Sequence, residues 1–365
     1  MEFIYNGKQT KKEIIDKSNQ LKIKKNFEKK GSLLLEGDNF IVLSSLLDEY
    51  KGKIDLIYLD PPFNTSLDFY ISGKRANTIS NSKKSILAYS DKFSMEEYLE
   101  FIRERLIILE QLLSERGSIY LHIDYKIGHY IKLLMDEVFG VNNFKNDITR
   151  IKSNPKNFQR KAYGNEKDLI LFYSKDYKKN IWNEVKITLS KDEIEKKFTK
   201  IDENGRHYTT VPLHAPGETR DGITGKPWRG IPVPEGRHWR TNPAEFDKMD
   251  KNNDIEWSKN GNPRIKKYAC DHKGKKIQDI WKFKDPQYPK YPTQKNDDLL
   301  KLIISQSSDL NSIVLDCFAG SGTTLRNANE LGRKWIGIDN SKSAINVIKK
   351  QELGEYIYCK YDTHE

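Results

Sequence analysis

Short apolar runs alternate with amphipathic stretches near both ends of the chain. Four runs rich in Ile and Leu are too short for helices and are typical of buried parallel strands: residues 54–59, 117–123, 312–316 and 334–339. Further strands are predicted at residues 31–36, 148–152 and 169–173. Apolar residues at helical spacing predict helices at 39–50, 94–114, 127–139, 296–307, 323–331 and 341–351. Strands alternating with helices predict an α/β fold whose mostly parallel sheet is flanked by helices.

The run at residues 54–59 ends abruptly in Asp60-Pro61-Pro62-Phe63. Neither proline has an N–H to donate, and each fixes its own φ and restricts the residue before it. The Asp60 carboxylate and the proline carbonyls should therefore stand rigidly at the carboxyl end of a strand, where open α/β sheets bind ligands. A simple strand stop is the alternative, but the acid before the prolines and the ring after them favour a binding site.

A glycine loop follows the strand predicted at residues 312–316. Asp316 ends that strand, and Gly320 and Gly322 form a Gly-x-Gly turn before a helix. Such a turn allows close backbone approach to a ligand. No Gly-Lys-Ser/Thr follows, which excludes a P-loop, and Leu325 stands where a nicotinamide fingerprint needs a third glycine. Asp339 ends the next strand, where it can accept hydrogen bonds from ribose hydroxyls. The group predicts an adenosine-containing ligand.

Composition narrows the class of protein. No apolar run among the 365 residues approaches the ~20 that a membrane span needs, and residues 1–30 form a basic, polar arm without a secretory h-region. Three cysteines are few and odd in number, so we expect a cytoplasmic protein without a disulfide framework. Cys270 and His272 lack a second pair of ligands, and no metal site is predicted.

The net charge of +11 is concentrated in the middle of the chain. Residues 145–290 contain 33 Lys and Arg against 21 Asp and Glu, with ten of the 13 prolines and five of the six tryptophans. We predict an irregular, β-rich domain that binds nucleic acid. Its candidate contacts are Arg229, Arg237, Trp239 and Arg240, whose interleaving suits phosphate contact and base stacking. The alternative is a small core anchored by tryptophans, with arginines on its rim.

Three motifs, in their order, resemble those of one family. Asp60-Pro61-Pro62-Phe63 resembles the catalytic motif of S-adenosylmethionine-dependent DNA amino-methyltransferases, and residues 318–322 resemble their cofactor motif. Residues 291–295 are similar to the segment that precedes the cofactor motif in the permuted β group, where the catalytic motif comes first. The resemblance covers roughly residues 31–175 and 285–350. One departure is Cys317, where the family commonly has proline; only backbone geometry is at issue there.

The resemblance implies a Rossmann-like methyltransferase fold with an inserted β-rich target-recognition domain. The expected divisions are the arm at 1–30, the catalytic half at 31–150, the target-recognition region at 151–285 and the cofactor-binding half at 286–365. Residues 151–285 could begin by continuing the sheet. A base amine is a poor nucleophile, and Asp60 with the Pro61 or Pro62 carbonyl would accept its two hydrogens while Phe63 stacks on the flipped base. No cysteine follows a proline, so a C5-cytosine mechanism lacks its nucleophile.

The resemblance also assigns the cofactor S-adenosylmethionine to particular residues. Asp38 would contact its adenine, Asp339 its ribose, and Lys295 with Thr323 its methionine carboxylate. A helix cap is the alternative for Asp38, and a solvated charge is the alternative for Lys295. The complete cofactor set is Asp38, Asp316, Phe318, Gly320, Gly322, Thr323, Asp339 and Lys295.

Adenine N6 in double-stranded DNA is the expected target, because Asp at the first motif position is typical of adenine-modifying members and Ser of cytosine-modifying ones. N4 of cytosine is the alternative. Other possibilities are a catalytically silent DNA-binding relative and an RNA or protein methyltransferase, whose motif usually begins with Asn. The resemblance further implies a prokaryotic restriction-modification system, with a homodimer and a cognate restriction endonuclease as partners.

Overall fold

The computed structural model describes residues 2–25, 31–62, 94–153, 161–219, 221–285 and 295–361, together with the backbone of 68–72, 75–77 and 86–90. The strands in chain order are β1 (Ser32–Glu36), β2 (Ile54–Leu59), β3 (Asp68–Ser72), β4 (Arg75–Asn77), β5 (Ile86–Ser90), β6 (Leu113–Ile123), β7 (Phe144–Ile151), β8 (Lys167–Ser174), β9 (Lys186–Ile187), β10 (Lys200–Ile201), β11 (His207–Pro212), β12 (His214–Pro216), β13 (Arg237–Trp239), β14 (Ile255–Trp257), β15 (Pro263–Tyr268), β16 (Lys275–Lys276), β17 (Ile280–Trp281), β18 (Ile313–Asp316), β19 (Lys334–Asp339) and β20 (Tyr356–Lys360). The α-helices are α1 (Lys11–Leu21), α2 (Asn39–Tyr50), α3 (Met95–Leu112), α4 (Gly128–Phe139), α5 (Lys191–Lys197), α6 (Pro243–Lys251), α7 (Asp297–Ser307), α8 (Thr323–Glu330) and α9 (Lys342–Lys349).

Nine strands form the main sheet, in the order β17-β7-β8-β6-β2-β18-β19-β1-β20. Within it β8 runs antiparallel to its neighbours β6 and β7, and the other pairs are parallel. The predicted strands all lie in this sheet, and β17 and β20 are additional edge strands. Because β2 and β18 are neighbours, the two predicted motifs emerge side by side at the same edge of the sheet.

Helices cover both faces of the sheet. The face that carries Leu33 and Leu35 packs into one continuous core with apolar residues of α2, α3 and α4. On the other face, Tyr120 of β6 hydrogen-bonds Ser307 of α7 at 2.7 Å, and Leu325 of α8 lies over Gly337 of β19. The predicted α/β fold is confirmed. No helix among the described residues is long and apolar enough to cross a membrane.

The junction of α3 and β6 differs from the prediction. The helix ends at Leu112 and the strand begins at once at Leu113, where residues 117–123 were predicted. Gly117 permits this early pairing, because a Cβ there would lie 2.7 Å from the Leu113 side chain and 2.8 Å from the Ile54 carbonyl. The register between β2 and β6 shifts beside this glycine.

The N-terminal segment, predicted as a basic, polar arm, contains the helix α1 and packs against the helices of the main sheet. Thr10 and Glu13 form a capping box at the start of α1, and Ile14 is completely buried in the main core. Lys17 pairs with Glu104 of α3 at 2.6 Å, so basic residues of this segment neutralise acidic residues of α3. Part of the positive charge of the predicted basic arm therefore has a partner within the fold.

The chain divides into two compact units, Met1–Val185 with Gln278–Glu365, and Lys186–Ile277. The second unit begins later than residue 151, because β7 and β8 complete the main sheet. It contains a four-stranded sheet in the order β10-β11-β15-β14 and the hairpin β12–β13. Residues 186–277 contain 20 Lys and Arg against 14 Asp and Glu, a net charge of +6. About half of the basic excess of residues 145–290 thus belongs to the first unit.

Candidate active site

Four carboxylates lie at the carboxyl ends of four adjacent strands. Asp60 follows β2, Asp316 ends β18, Asp339 ends β19 and Asp38 follows β1 by one glycine. The four strands are neighbours in the order β2-β18-β19-β1. The structure therefore brings the predicted catalytic and cofactor carboxylates to one edge of the sheet.

The Asp60 carboxylate is held on one side by a lysine. Lys295 Nζ lies 2.7 Å from Asp60 Oδ2, and the two side chains are only 10% and 15% exposed. Asp60 Oδ1 is buried and has no hydrogen-bond partner among the described residues. A buried acceptor without a donor costs free energy, so this atom is suited to accept a hydrogen bond from a ligand.

The proline carbonyls beside Asp60 differ in their surroundings. Tyr98 of α3 donates its hydroxyl to the Pro62 carbonyl at 2.6 Å. Across the described part of the chain, no donor is seen for the carbonyl of Pro61, which is a buried residue. Tyr98 therefore fixes the turn from its C-terminal side and occupies one of the two predicted carbonyl acceptors. Phe63 lies outside the described residues, and its stacking role stays a prediction.

The glycine loop is shaped by residues with positive φ. Gly320 has φ 51°, and Gly322 has φ 76° directly before α8. A Cβ on Gly322 would lie 2.8 Å from Ile348 Cγ1, so a side chain is excluded both by conformation and by space. The Gly320 N–H donates to Asp339 Oδ2 at 2.8 Å, which ties the loop to the end of β19.

Asp339 has a structural role in addition to its predicted contact with the ribose. Its carboxylate accepts hydrogen bonds from the backbone N–H groups of Gly320 and Ser341, each at 2.8 Å. Burial raises the pKa of Asp339, although these hydrogen bonds oppose the rise. The Asn340 N–H also hydrogen-bonds this side chain, and because a carboxylate has about four acceptor positions, one remains for a ribose hydroxyl. The ribose contact stays a prediction.

Asp316 is the most deeply buried of the four carboxylates. Burial, and to a lesser degree the negative charges of Asp60 and Asp339, raise its pKa to about 7. Its Oδ1 accepts the Phe318 N–H at 3.0 Å, and Thr324 also hydrogen-bonds the side chain. A carboxylate this costly to bury is a candidate ligand for a cationic group.

Asp38 caps α2, as one of its two interpretations predicted. Oδ1 accepts the N–H groups of Phe40 at 2.9 Å and Ile41 at 3.2 Å. The same side chain is 45% exposed and lines a cavity of about 920 Å³ together with Asn340, which directly follows Asp339. Capping therefore does not exclude the predicted contact with the cofactor's adenine, which stays a prediction.

Arg105 of α3 was not anticipated from the sequence. Its Nη2 lies 3.5 Å from Asp38 Oδ2, and its Nε donates to Asn39 Oδ1 at 2.5 Å. Asn39 in turn donates to the Cys317 carbonyl at 2.9 Å, which links the start of α2 to the glycine loop. No local sequence pattern marked Arg105, because its burial, which is rare for an arginine unless it is paired, is known only from the structure.

The remaining two predicted cofactor residues lie beside the glycine loop. Thr323 is buried in the first turn of α8, and its Oγ1 hydrogen-bonds Ser321 Oγ at 2.8 Å. Phe318 contacts the ring of Phe101 with centroids 6.1 Å apart. Their contacts with a cofactor stay predictions.

A buried polar chain, also missed by the sequence analysis, lies beneath the catalytic motif. Tyr58 Oη is 2.9 Å from His122 Nδ1, and His122 Nε2 is 3.3 Å from Asp168 Oδ2. Burial lowers the pKa of His122, although its hydrogen bond with Asp168 opposes this effect. Lys152 and Arg150 complete the chain around Asp168. It joins β2, β6, β8 and β7 directly beside Asp60, and therefore stiffens the sheet there.

The predicted DNA contacts in the second unit have different surroundings. Trp239 is only 2% exposed, and its Nε1 donates to the Lys226 carbonyl at 2.7 Å. It belongs to a small core with Trp228 and Phe246, so its predicted base stacking is corrected to a packing role. For Trp239, the alternative of a tryptophan-anchored core is the right one.

The three arginines lie outside that core. Arg229 is engaged by Asp247 at 2.8 Å and Asp250 at 2.6 Å. Arg237 and Arg240 are exposed at the two ends of the β13 segment, and Arg240 also donates to the Pro212 carbonyl at 3.0 Å. DNA contact stays a prediction for all three, but Arg237 and Arg240 carry charge that no described carboxylate neutralises.

Similarity to known proteins agrees with the function that the strand-end carboxylates and the glycine loop indicate. The DNA methylase family matches residues 54–350, and the chain belongs to that family. The chain is similar to the Type II methyltransferase M.EcaI of Enterobacter cloacae, with 38% identity over 372 residues that cover 97% of this chain and 79% of that protein. The predicted restriction-modification type of DNA methyltransferase is thereby confirmed.

Other relatives are longer or more distant. The StyLTI Mod subunit of a Type III restriction-modification enzyme from Salmonella typhimurium is 29% identical over 329 residues, which cover 80% of this chain. The chain spans about half of that protein's length, 49%. The structure of an M1.HpyAVI–SAM complex is 20% identical, with a TM-score of 0.46, covering 87% of this chain and 98% of that one.

Proposed function

We propose that this DNA methyltransferase transfers the methyl group of S-adenosylmethionine to N6 of adenine within a short recognition sequence of duplex DNA. The observation that carries the proposal is the Asp60 carboxylate, whose buried Oδ1 has no partner among the described residues. It begins the Asp-Pro-Pro-Phe motif whose first residue is typical of adenine-modifying relatives. A base in a duplex cannot bring its amine to a buried strand end, so the target adenine must leave the stack.

The residues at the strand ends fit the proposed cofactor. Gly322 excludes a side chain from the backbone cradle, Asp339 has spare acceptor capacity, and the cavity beside Asp38 and Asn340 can receive an adenine. Asp316 is a buried carboxylate suited to a cationic group of the ligand. When bound, the cofactor supplies an electrophilic methyl group on a sulfonium.

The chain's own contribution is to orient the amine. An exocyclic amine donates two hydrogens, and the arrangement offers two acceptors, Asp60 Oδ1 and the Pro61 carbonyl. Tyr98 already donates to the Pro62 carbonyl, which favours Pro61 over Pro62 as the second acceptor. Two hydrogen bonds placed in this way pull the nitrogen toward tetrahedral geometry and release its lone pair from the ring. Catalysis then comes from positioning and electrostatics, without a covalent intermediate.

Genome-wide mapping of modified bases tests the proposal. Expression of the chain in a host free of DNA methylation is expected to produce N6-methyladenine at one short motif, and the Asp60→Ala variant should produce none. N4-methylcytosine at a motif would select the cytosine alternative instead. Complete absence of modification with retained DNA binding would favour the catalytically silent relative.

Arg237 and Arg240 are the proposed phosphate contacts of the second unit. Replacing both by alanine is expected to weaken duplex binding and to make the dependence of log K on log salt less steep by about 2, one for each phosphate contact. Fluorescence anisotropy across a salt series measures this slope. Arg229→Ala is the comparison: it removes one guanidinium that Asp247 and Asp250 already neutralise, so we expect it to change the slope less than either Arg237→Ala or Arg240→Ala. An unchanged slope in the double variant would remove both arginines from the DNA interface.

The further partners follow from the restriction-modification relatives. We propose a cognate restriction endonuclease that cuts the same recognition sequence when it is unmodified. The family resemblance adds a homodimer, which light scattering measures directly. Because the substrate is chromosomal DNA, the proposed location is the prokaryotic cytoplasm, in association with the nucleoid.

A further inference from the structure

The two oxygens of the Asp60 carboxylate have different surroundings. Oδ2 lies 2.7 Å from Lys295 Nζ, whereas Oδ1 is buried without a partner among the described residues. A carboxylate bound on one side cannot turn freely about its terminal torsion. The lysine therefore decides which oxygen remains for a ligand and in which direction that oxygen points.

Lys295 is itself held in place by the start of α7. The following residue, Asn296, caps the helix by accepting the Leu299 N–H at 3.1 Å and donates its amide to the Lys284 carbonyl at 2.9 Å. The body of α7 is anchored on the sheet through Ser307 and Tyr120. Lys295 is 8% exposed, so its ammonium group reaches Asp60 from a fixed and largely dry position.

The surroundings of Asp60 make a cation important at this point. Asp316 ends β18, the strand next to β2, and Asp339 ends β19, the strand beyond it; Asp60 and Asp339 both act electrostatically on Asp316. In a buried setting, like charges this close repel strongly unless a cation compensates them. The ammonium of Lys295 supplies that compensation at the carboxylate nearest to it.

We propose that Lys295 is a positioning residue that holds Asp60 Oδ2 so that Oδ1 accepts the hydrogen of the target amine. This inference deepens the proposed function and rests on it. It differs from the role that the family resemblance implied for Lys295, a contact with the methionine carboxylate of the cofactor. The two roles separate experimentally, because one acts on the rate at saturating cofactor and the other on cofactor affinity.

Lys295→Met tests the two roles against each other. It keeps a long apolar stem and removes the charge, so we expect kcat on duplex DNA to fall on the order of 10²-fold. The cofactor Kd, measured by calorimetry without DNA, should stay within about threefold. The Lys295→Gln variant keeps a hydrogen-bond donor without the charge and should have an intermediate kcat with a wild-type cofactor Kd.

Lys301→Met, in the helix α7 that follows Lys295, is the matched control. Lys301 is 43% exposed and pairs with Glu330 at 2.9 Å on the surface, so kcat and Kd should both remain those of the wild type. A cofactor Kd raised tenfold or more in Lys295→Met, with kcat preserved at saturating cofactor, would overturn the proposal, and so would two unchanged constants. If Lys295→Met lacks a cooperative thermal transition and is therefore not folded, the kcat and cofactor Kd of Lys295→Gln are judged by the same criteria. Failure of the proposed function itself would appear separately, as a wild-type protein that does not methylate duplex DNA.

Discussion

Replacing Asp60 by alanine is expected to abolish methyl transfer while the protein still binds its cofactor. The variant loses the buried Oδ1 acceptor and the carboxylate oxygen that Lys295 contacts at 2.7 Å. The two proposed acceptors, Asp60 Oδ1 and the Pro61 carbonyl, act on the amine only when it is aligned for transfer. The decrease should therefore appear in kcat, and it should be on the order of 10³-fold or more. Incorporation of labelled methyl groups into duplex DNA measures the rate, and calorimetry measures cofactor affinity.

Asp55→Ala is the matched control for that prediction. Asp55 lies on the same strand, β2, and accepts the Ser114 hydroxyl at 2.9 Å, away from the carboxyl end of the sheet. Its removal should leave kcat unchanged. The assignment of Asp60 fails if its alanine variant turns over at the wild-type rate, or if it loses cofactor binding while turnover is retained.

The sequence predicts those parts of this site in which the functional residues directly follow a strand. The apolar runs identify β2, β18 and β19, and each is followed by residues with only local requirements: two prolines after Asp60, and glycines after Asp316. The parallel arrangement then brings the ends together without any knowledge of side-chain contacts. The predicted and observed positions of these carboxylates agree for that reason.

Contacts between distant segments could not be predicted in this way. Lys295 meets Asp60 across 235 positions of sequence, and Arg105 meets Asp38 through the packing of α3 on α2. Neither partner is marked by a local pattern. The burial of Trp239 has a similar origin, because an arginine-tryptophan alternation is the same on a rim and in a groove. Only the packing of Trp239 into the small core around Phe246 shows that this tryptophan is a core residue and not a base-stacking one.

The N-terminal segment shows the limit of reading charge along the sequence alone. Its lysines, counted locally, predict a basic, polar arm. In the structure Lys8 pairs with Glu137 at 2.9 Å and Lys17 with Glu104 at 2.6 Å, far along the chain. Net charge per segment is therefore informative about a partner only after such internal pairs are known.

Asp316→Asn is expected to stabilise the protein without its cofactor at pH 8 and to weaken cofactor binding. Burial raises the pKa of Asp316 from 3.8 to about 7. Between these two values the unfolded chain loses the proton that the folded protein keeps, so stability falls as pH rises, and the full penalty applies above pH 7. The rise corresponds to on the order of 4 kcal/mol. Asparagine avoids that penalty and can still accept the Phe318 N–H.

Thermal unfolding at pH 5 and pH 8 checks the first half of this prediction. The variant should gain melting temperature over the wild type at pH 8 and gain much less at pH 5, because Asp316 is then mostly protonated in the folded protein. The exposed Asp309, which pairs with Arg116 at 3.2 Å, provides the matched control Asp309→Asn, without a comparable pH-dependent gain.

Cofactor affinity checks the second half of the prediction, the weaker cofactor binding. The free energy that it costs to bury the Asp316 carboxylate is offset if a cationic group of the cofactor binds beside it. S-Adenosylmethionine carries an ammonium and a sulfonium, and binding either near Asp316 should expel the proton that Asp316 still holds near pH 7. Calorimetry in buffers of different ionisation enthalpy should therefore detect proton release in the wild type and none in Asp316→Asn, with affinity reduced about tenfold or more. Equal affinity and equal proton release in the two proteins would leave Asp316 as a structural acceptor for the glycine loop and remove it from the cofactor site.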